Sequence, residues 1–228
     1  MVADDVSFTD LIASSIHDMK NSLNLQVSAL EGMAAQCRSR GDESLLQDLG
    51  RLIYQSHRMN LNLVGLLSLY KLDKSIYPLD MGEHNLAELI EEALLQNQAM
   101  LAFKGIAVSV DCPSDCYAYL ERELVKGALI NGLNNAYQYT RDRIHVQARS
   151  SAAGLELRVE DNGPGYPARL LSGPLGAQAV DFDSGSTGLG FYFCQQVAGL
   201  HKNGTRSGQL RIENGGSLGG GCFVLQLP

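Results

Sequence analysis

Two glycine-rich segments stand where a phosphate group could be bound. Gly163 and Gly165 follow a predicted strand that ends at Val159–Glu160, and the segment from Gly185 to Gly190 runs directly into a predicted helix. A helix N-terminus presents unpaired N–H groups and the positive end of its dipole, and glycine lets the backbone approach a phosphate closely. Each segment taken alone predicts only a turn, and neither is followed by the Gly-Lys-Ser/Thr of a Walker A loop.

Three polar residues have the chemistry to complete a nucleotide site. Asn131 and Asn135 lie four residues apart in a predicted helix and therefore share a face. Their amide oxygens are hard ligands suited to Mg²⁺ beside phosphate oxygens and water, although such a pair is as often simply solvated. Asp161 follows a predicted strand, where its carboxylate can accept a hydrogen bond from the exocyclic amine of adenine or can simply form a turn.

The order of these segments carries more information than any one of them. Asn-Gly-Leu-Asn-Asn over 131–135, Asp-Asn-Gly-Pro-Gly over 161–165 and Gly-Ser-Thr-Gly-Leu-Gly over 185–190 resemble the N, G1 and G2 boxes of the histidine-kinase ATPase family. The resemblance implies an α/β sandwich whose boxes surround Mg-ATP, with Asn135 as the Mg²⁺ ligand. The residues that it implies for ATP binding are Asn131, Asn135, Tyr139, Asp161, Gly163, Gly165, Ser186, Thr187, Gly188, Leu189 and Gly190.

A fourth segment, Ser-Ile-His-Asp-Met-Lys-Asn over 15–21, resembles the H box of two-component sensor histidine kinases. The resemblance implies that His17 accepts the phosphoryl group. It also implies that Asn21, one turn further on the same face, orients the water that dephosphorylates a partner response regulator. Asp18 lies about 100° round the helix from His17, and from there its carboxylate can act as a general base on the ring.

The surroundings of His17 agree with a chemical role. It lies beside Ile16 and Met19, at the edge of an apolar helical stripe. Neutral imidazole is a competent nucleophile near neutral pH. A lone histidine on such a helix is usually a surface residue, and we interpret the other four in that way; they are His57, His84, His145 and His201.

Two long helices must position His17. Apolar residues recur at spacings of three and four from Ile12 to Ala34 and again from Leu45 to Tyr70, with a polar turn at 38–44 between them. Helices of about 30 residues are about 45 Å long. A single hairpin of that length cannot cover both stripes, so we expect a homodimer with a four-helix bundle.

The remaining elements predict a second domain. We place the linker at Lys71–Glu83, which gives a dimerisation and phosphotransfer hairpin over 1–77 and an ATP-binding domain over 78–228. Helices and strands of mixed order after the linker predict an α/β fold with one mixed sheet and its helices on one face. The predicted helices are 85–103, 121–139 and 187–200, and the predicted strands are 106–110, 144–149, 155–159, 210–213 and 222–227.

Composition excludes several classes of protein. The formal net charge of −7 argues against a nucleic-acid partner, which usually meets a basic face. We find no apolar run long enough to insert into a membrane and no signal-peptide pattern, and the odd number of cysteines, five, predicts reduced thiols. These features predict a cytoplasmic protein.

Three departures from the family pattern bear on activity. Gln138 stands where the N box commonly has lysine, so a cation that faces the phosphates is missing. The predicted lid, 166–184, is short and acidic, with Asp181 and Asp183 but only Arg169 as a basic residue. Ser22 replaces the proline of many H boxes and predicts a straighter first helix. Each lost charge contact would cost about 1–3 kcal/mol.

The function that these residues predict is ATP-dependent autophosphorylation of His17, followed by transfer to an aspartate of a response regulator. The resemblance also implies phosphatase activity toward the regulator, with Asn21 as the residue that carries it. Two alternatives remain open at this point. One is a phosphotransfer or phosphatase protein with a weakened ATP site, and the other is a non-enzymatic scaffold that binds another kinase through its helices.

Overall fold

The chain divides into two compact units, Met1–Tyr77 and Pro78–Pro228. The computed structural model describes residues 8–152, 154–172 and 188–228, with the side chains described from residue 14 onward. The roles assigned to the two units, dimerisation with phosphotransfer and ATP binding, stay predictions.

The first unit is a hairpin of two helices, α1 (Phe8–Arg40) and α2 (Glu43–Asp73). The predicted turn at 38–44 was too long, because both helices extend into it and only Gly41 and Asp42 lie between them. Asp42 explains the early start of α2, since its carboxylate caps the helix by accepting the N–H of Leu45 at 3.1 Å. The helix-rich first part of the predicted fold is confirmed.

The apolar stripes of the hairpin are only partly covered within one chain. Ile16, Val27 and Ile53 are buried, whereas Met19 is 52% exposed and Leu66 is 50% exposed. Helix α1 continues unbroken through Ser22, whose hydroxyl donates to the carbonyl oxygen of Asp18 at 3.0 Å.

The second unit contains a mixed five-stranded sheet, as predicted. Its strand order is β2-β4-β5-β9-β8, with β2 parallel to β4 and the other neighbours antiparallel. The strands are β2 (Ala107–Asp111), β4 (Arg143–Ser151), β5 (Gly154–Asp161), β8 (Gln209–Gly215) and β9 (Gly220–Leu227).

Three helices of this unit lie on one side of the sheet. They are α3 (Leu86–Phe103), α4 (Arg122–Tyr139) and α6 (Leu189–Leu200), and a short helix, α5 (Ala168–Leu171), has no buried residue. Val146, Val159 and Phe223 lie side by side in neighbouring strands and are buried on the helix-facing side. The opposite face carries ion pairs, in which Arg158 donates to Glu213 at 2.7 Å and to Glu160 at 3.2 Å.

Two small ribbons were not predicted. β1 (Met81–Asn85) pairs antiparallel with β3 (Tyr117–Glu121), and β6 (Lys202–Asn203) pairs with β7 (Arg206–Ser207). Because α2 continues to Asp73 and β1 begins at Met81, the predicted linker at 71–83 is shorter than expected.

The ends of β1 and β3 position the next two helices. Asn85 caps α3, as predicted, by accepting the N–H groups of Ala87 and Glu88 at 2.8 and 3.2 Å. Glu121 caps α4 by accepting the N–H of Leu124 at 2.6 Å. The two caps fix where α3 and α4 begin, and α4 carries the two asparagines expected to bind nucleotide.

Candidate functional site

Asp161 is the last residue of β5, and its carboxylate accepts hydrogen bonds from two backbone N–H groups. Gly163 donates to Oδ1 at 2.7 Å, and Gly221, from the first residues of β9, donates to the same oxygen at 3.3 Å. Asp161 is only 5% exposed, and burial raises its pKa while the two N–H groups oppose that rise. With Oδ1 occupied, Oδ2 is the oxygen left to accept a further hydrogen bond.

The residue after it, Asn162, fastens this loop to the end of α4. Its Oδ1 accepts the hydroxyl of Thr140 at 2.8 Å and three successive backbone N–H groups at 3.1–3.2 Å, and its Nδ2 donates to Asp142 at 2.7 Å. Sequence reasoning missed Asn162, because Asp-Asn-Gly by itself signals only a turn.

Gly163 must be glycine because the chain passes very close to α4 there. A Cβ built on Gly163 would lie 2.2 Å from the carbonyl oxygen of Tyr139. Tyr139, the aromatic residue expected at the site, is exposed at the end of α4. The first glycine segment is therefore closed against the helix that carries the asparagines.

The second glycine segment meets the same helix a little more than two turns earlier, at Asn131 instead of Tyr139. Helix α6 begins after Gly188, and a Cβ on Gly190 would lie 2.7 Å from Oδ1 of Asn131. The amide nitrogen of Asn131 donates to the carbonyl oxygen of Gly127 at 2.9 Å, so its oxygen is the end that faces α6. The structure thus brings Asn131 and Gly190 together. Leu189, which was also expected to bind ATP, is the first residue of α6 and lies between Gly188 and Gly190.

Asn135 lies one turn after Asn131 and is half-buried. Its side chain makes no hydrogen bond to another residue in the described part of the chain. In contrast, the adjacent Asn134 is buried and donates to Ile130 O at 2.9 Å and to Asn97 at 3.3 Å. Of the two neighbours, Asn135 is therefore the one whose amide is available to a ligand.

A buried histidine, His201, joins the start of α4 to the end of α6. Nε2 of His201 accepts the N–H of Glu121 at 3.0 Å, and Nδ1 donates to the carbonyl oxygen of Val197 at 2.8 Å. The interpretation of His201 as a surface residue was wrong, because it is 2% exposed. Burial lowers its pKa, which favours the neutral ring that can accept from Glu121.

Tyr166 and Asn214 form another part of the site that sequence reasoning missed. Asn214 Oδ1 accepts the N–H of Tyr166 at 2.6 Å, and its Nδ2 donates to Tyr166 O at 2.9 Å. Gly165 lies against the same amide, since its Cβ would be 2.7 Å from Asn214 Oδ1. The ring of Tyr166 packs edge-on against Phe191 with 6.1 Å between centroids, and burial raises the pKa of its hydroxyl.

Several predicted residues lie outside the described part of the chain. They are Ser186 and Thr187 of the second glycine segment, with Gly185 before them, and Asp181 and Asp183 of the predicted lid. Of that lid, 166–184, the structure describes residues 166–172, which include α5.

The residues expected to perform phosphotransfer all lie on α1. His17, Asp18 and Asn21 are exposed, and no hydrogen bond joins their side chains to one another among the described residues. Their exposure leaves the imidazole of His17 accessible to a reactant from outside the hairpin.

Comparisons with known proteins agree on a single family. Residues 121–228 match the model of the histidine kinase-, DNA gyrase B- and HSP90-like ATPases. The adaptive-response sensory kinase SasA of Gloeothece citriformis is 24% identical over 242 residues, which cover 100% of this chain and 59% of that relative. This chain therefore spans less than two thirds of the length of that kinase.

Two solved structures share the fold. The histidine kinase AdeS of Acinetobacter baumannii has a TM-score of 0.58 at 20% identity and covers 90% of this chain and 96% of its own. The ATP-binding domain of PrrB from Mycobacterium tuberculosis has a TM-score of 0.50 at 27% identity and covers 65% of this chain and 97% of its own. No helix in the described residues combines the length and apolar character needed to cross a membrane.

Proposed function

The chain belongs to the two-component sensor histidine kinases, and from that premise we propose that it binds Mg-ATP and phosphorylates its own His17. One observation carries the proposal. Gly163 lies against Tyr139 and Gly190 lies against Asn131, so the described parts of the three motifs meet along one helix, α4, which supports a single nucleotide site. Separate turn-forming glycines would have no reason to converge on one helix.

Asp161 is suited to recognise adenine. Its Oδ1 is held by Gly163 and Gly221, which leaves Oδ2 in a fixed orientation to accept the exocyclic amine of the base. Because the carboxylate is buried, a hydrogen bond to it is not in competition with bulk water.

Asn135 and the start of α6 are suited to hold the phosphates. The amide of Asn135 has no partner among the described residues and offers an oxygen ligand of the kind that Mg²⁺ takes beside phosphate oxygens. The first N–H groups of α6, after Gly188, have no carbonyl partner within the helix and are suited to donate to a phosphate. When bound, Mg²⁺ would neutralise charge on the β- and γ-phosphates.

His17 is the proposed nucleophile. The neutral imidazole attacks the γ-phosphorus in line, the bond to the bridging oxygen of ADP breaks, and the ring proton leaves to Asp18 or to water. Most of the rate enhancement comes from positioning and charge neutralisation, so the exposed His17 only needs to be presented to the nucleotide. Gln138 in place of a lysine predicts weaker phosphate binding than in other members.

The proposed partners follow from the hairpin. Exposed apolar residues such as Met19 and Leu66 are to be covered by a second copy, which makes the chain a homodimer with a four-helix bundle. A response regulator then takes the phosphoryl group from His17 onto an aspartate. In the separate phosphatase reaction Asn21 orients the water that hydrolyses this aspartyl phosphate, which releases inorganic phosphate.

The test is incubation of the purified chain with γ-labelled ATP and Mg²⁺, beside His17→Gln and Asn135→Ala variants. We expect acid-labile, base-stable label on the parent chain and none on either variant. A parent chain that neither binds nucleotide nor takes label contradicts the proposal and favours a phosphotransfer protein or a scaffold. Nucleotide binding without label would contradict autophosphorylation by the isolated chain and would point to a kinase held off by a missing signal or partner.

A further inference from the structure

An apolar groove on the second unit is lined by none of the residues assigned to nucleotide. It has a volume of about 550 Å³ and runs between one face of α3 and the first strand of the five-stranded sheet, β2. Its floor is formed by Ile90, Leu94 and Leu101 from α3 and by Val108 and Val110 from β2. None of these residues takes part in the proposed phosphotransfer chemistry.

One wall of the groove is an open sheet edge. Within the described residues β2 pairs only with β4. The N–H of Ala107 donates to Asp142 O at 2.8 Å, so Ala107, Ser109 and Asp111 direct their backbone groups toward β4. Backbone groups of successive residues point to opposite sides in a strand, and Val108 and Val110 therefore present their N–H and C=O groups to the open edge.

The groove side of the edge lacks several of the features that usually prevent strand addition, although β2 carries one charged residue, Asp111, on its other face. It contains no proline, lysine or inward charge, and the side chain at its exposed end, Val110, is 48% exposed. On the opposite wall Leu95 is 59% exposed. Backbone donors and acceptors thus border an apolar surface, which is the combination used when an extended peptide adds to a sheet.

The charged side chain that lines the groove indicates which kind of peptide it would bind. Glu91 lines the groove, is exposed and makes no ion pair with any residue that the structure describes. On the other face of β2 the carboxylate of Asp111 is already paired with Arg149 and accepts from Gln147 at 3.0 Å. Of these two carboxylates, the one without an ion-pair partner among the described residues is therefore on the groove side, where it favours a cation.

We propose that an extended segment of a partner protein adds to β2 as a sixth strand, with apolar side chains at alternate positions in the groove and a lysine or arginine beside Glu91. This inference concerns a second surface and does not depend on the proposed nucleotide chemistry.

A second copy of this chain is a poorer occupant. Paired with itself, β2 would offer only Val108 and Val110 to the groove, and each copy would bring another Glu91 on α3 where a cation is needed. Two valines leave most of a groove of about 550 Å³ unfilled, and unfilled apolar volume contributes nothing to affinity.

The test uses the full chain and a fluorescein-labelled peptide, Thr-Lys-Thr-Leu-Thr-Leu-Thr-Lys-Thr, which places lysine and leucine on one face in either strand direction. A peptide of the same composition, Thr-Lys-Leu-Leu-Thr-Thr-Thr-Lys-Thr, lacks the alternation. We expect saturable fluorescence anisotropy for the first peptide and binding weaker by at least about tenfold for the second.

Matched variants then separate the backbone edge from the side chain. Val110→Pro and Val110→Ala both remove the isopropyl group, but only proline removes the outward N–H, and an edge strand tolerates that loss. We expect Val110→Pro to weaken binding by about tenfold relative to Val110→Ala. Glu91→Lys should weaken binding further than Glu91→Gln and should favour a peptide with glutamates in place of the lysines.

Three outcomes would overturn the proposal: no saturable binding of the alternating peptide, equal binding by Val110→Pro and Val110→Ala, or indifference to the charge at position 91. Self-association that Val110→Pro abolishes, measured by sedimentation, would assign the edge to a second copy instead. Unchanged thermal unfolding and circular dichroism of each variant show that it is folded, so that a loss of binding reports on the groove itself.

Discussion

The backbone N–H of Glu121 donates to Nε2 of His201 over 3.0 Å, which joins the residue that caps α4 to the residue that ends α6. The same two helices meet again where Gly127 faces Phe193 and where Gly190 faces Asn131. The residue numbers rise along α4 as they fall along α6, so the helices run antiparallel. His201 therefore fixes the alignment that brings the start of α6 to the asparagines.

The first prediction concerns the removal of this ring. His201→Ala leaves the N–H of Glu121 without a partner and opens a cavity at a site that is 2% exposed. We expect the free energy of unfolding to fall by about 2–4 kcal/mol, measured by urea denaturation of the full chain. His145→Ala is the control, since His145 is half-buried and its ring has one hydrogen bond among the described residues, to the hydroxyl of Ser109. Equal losses for both variants would contradict the assigned role.

The protonation of His201 gives a second prediction. Burial places its folded-state pKa below the ordinary value of 6.5, so the unfolded chain binds this proton more readily than the folded one. The stabilising contribution is therefore complete above the ordinary pKa and is lost as pH falls through the folded-state pKa. Glutamine keeps an acceptor but does not titrate. Between about pH 7.5 and about pH 5, parent stability should fall more steeply than that of His201→Gln, and parallel curves would refute this.

His201 also shows which contacts could not be predicted from the sequence. Its hydrogen bond with Glu121 joins residues 80 positions apart, and the bond between Gly221 and Asp161 joins residues 60 positions apart. No local sequence pattern indicates either bond. Caps and periodic helices were predictable because their partners lie within one turn, as Asn85 and Ala87 do. The ribbon of β1 and β3 was missed because Met-Gly-Glu-His-Asn has no alternation of apolar and polar residues.

The order of the glycine and asparagine motifs predicted which residues would meet, but the hydrogen bonds and packing that bring them together could not be predicted from that order. Asn162 holds Thr140 and Asp142 in place, and that network helps to keep Gly163 against Tyr139. An asparagine between an aspartate and a glycine carries no such signal in the sequence, because the same three residues also form ordinary turns.

The third prediction tests the orientation of the Asp161 carboxylate. Asp161→Asn can still accept the N–H groups of Gly163 and Gly221 through its oxygen, but it replaces Oδ2 by an amide that donates. We expect ATP affinity to fall by about tenfold to a hundredfold in calorimetry. Inosine triphosphate, which has a carbonyl oxygen in place of the amine, should bind the variant better than the parent chain does. Equal losses for both nucleotides would argue against base recognition by this residue.

The fourth prediction contrasts two glycines that are close to α4. At Gly163 a Cβ would lie 2.2 Å from a backbone oxygen, Tyr139 O, which cannot move without shifting the end of the helix. Gly163→Ala should therefore lower the free energy of unfolding by about 2–4 kcal/mol. At Gly190 the neighbour is a side-chain atom, Oδ1 of Asn131, which can turn aside. Gly190→Ala should change the urea midpoint little, and a loss of stability equal to that of Gly163→Ala would be inconsistent with this geometry.

The fifth prediction isolates what Gly190 contributes to nucleotide binding. If the methyl group of Gly190→Ala acts by displacing the amide of Asn131, its effect on ATP affinity must depend on that amide being present. We expect Gly190→Ala and Asn131→Ala each to weaken ATP binding by about tenfold, and the double variant to lose little more than either alone. The coupling is measured by calorimetry on the four chains of the cycle. Because residues in contact share one interaction, additive losses would place the action of Gly190 elsewhere, on the N–H groups at the start of α6.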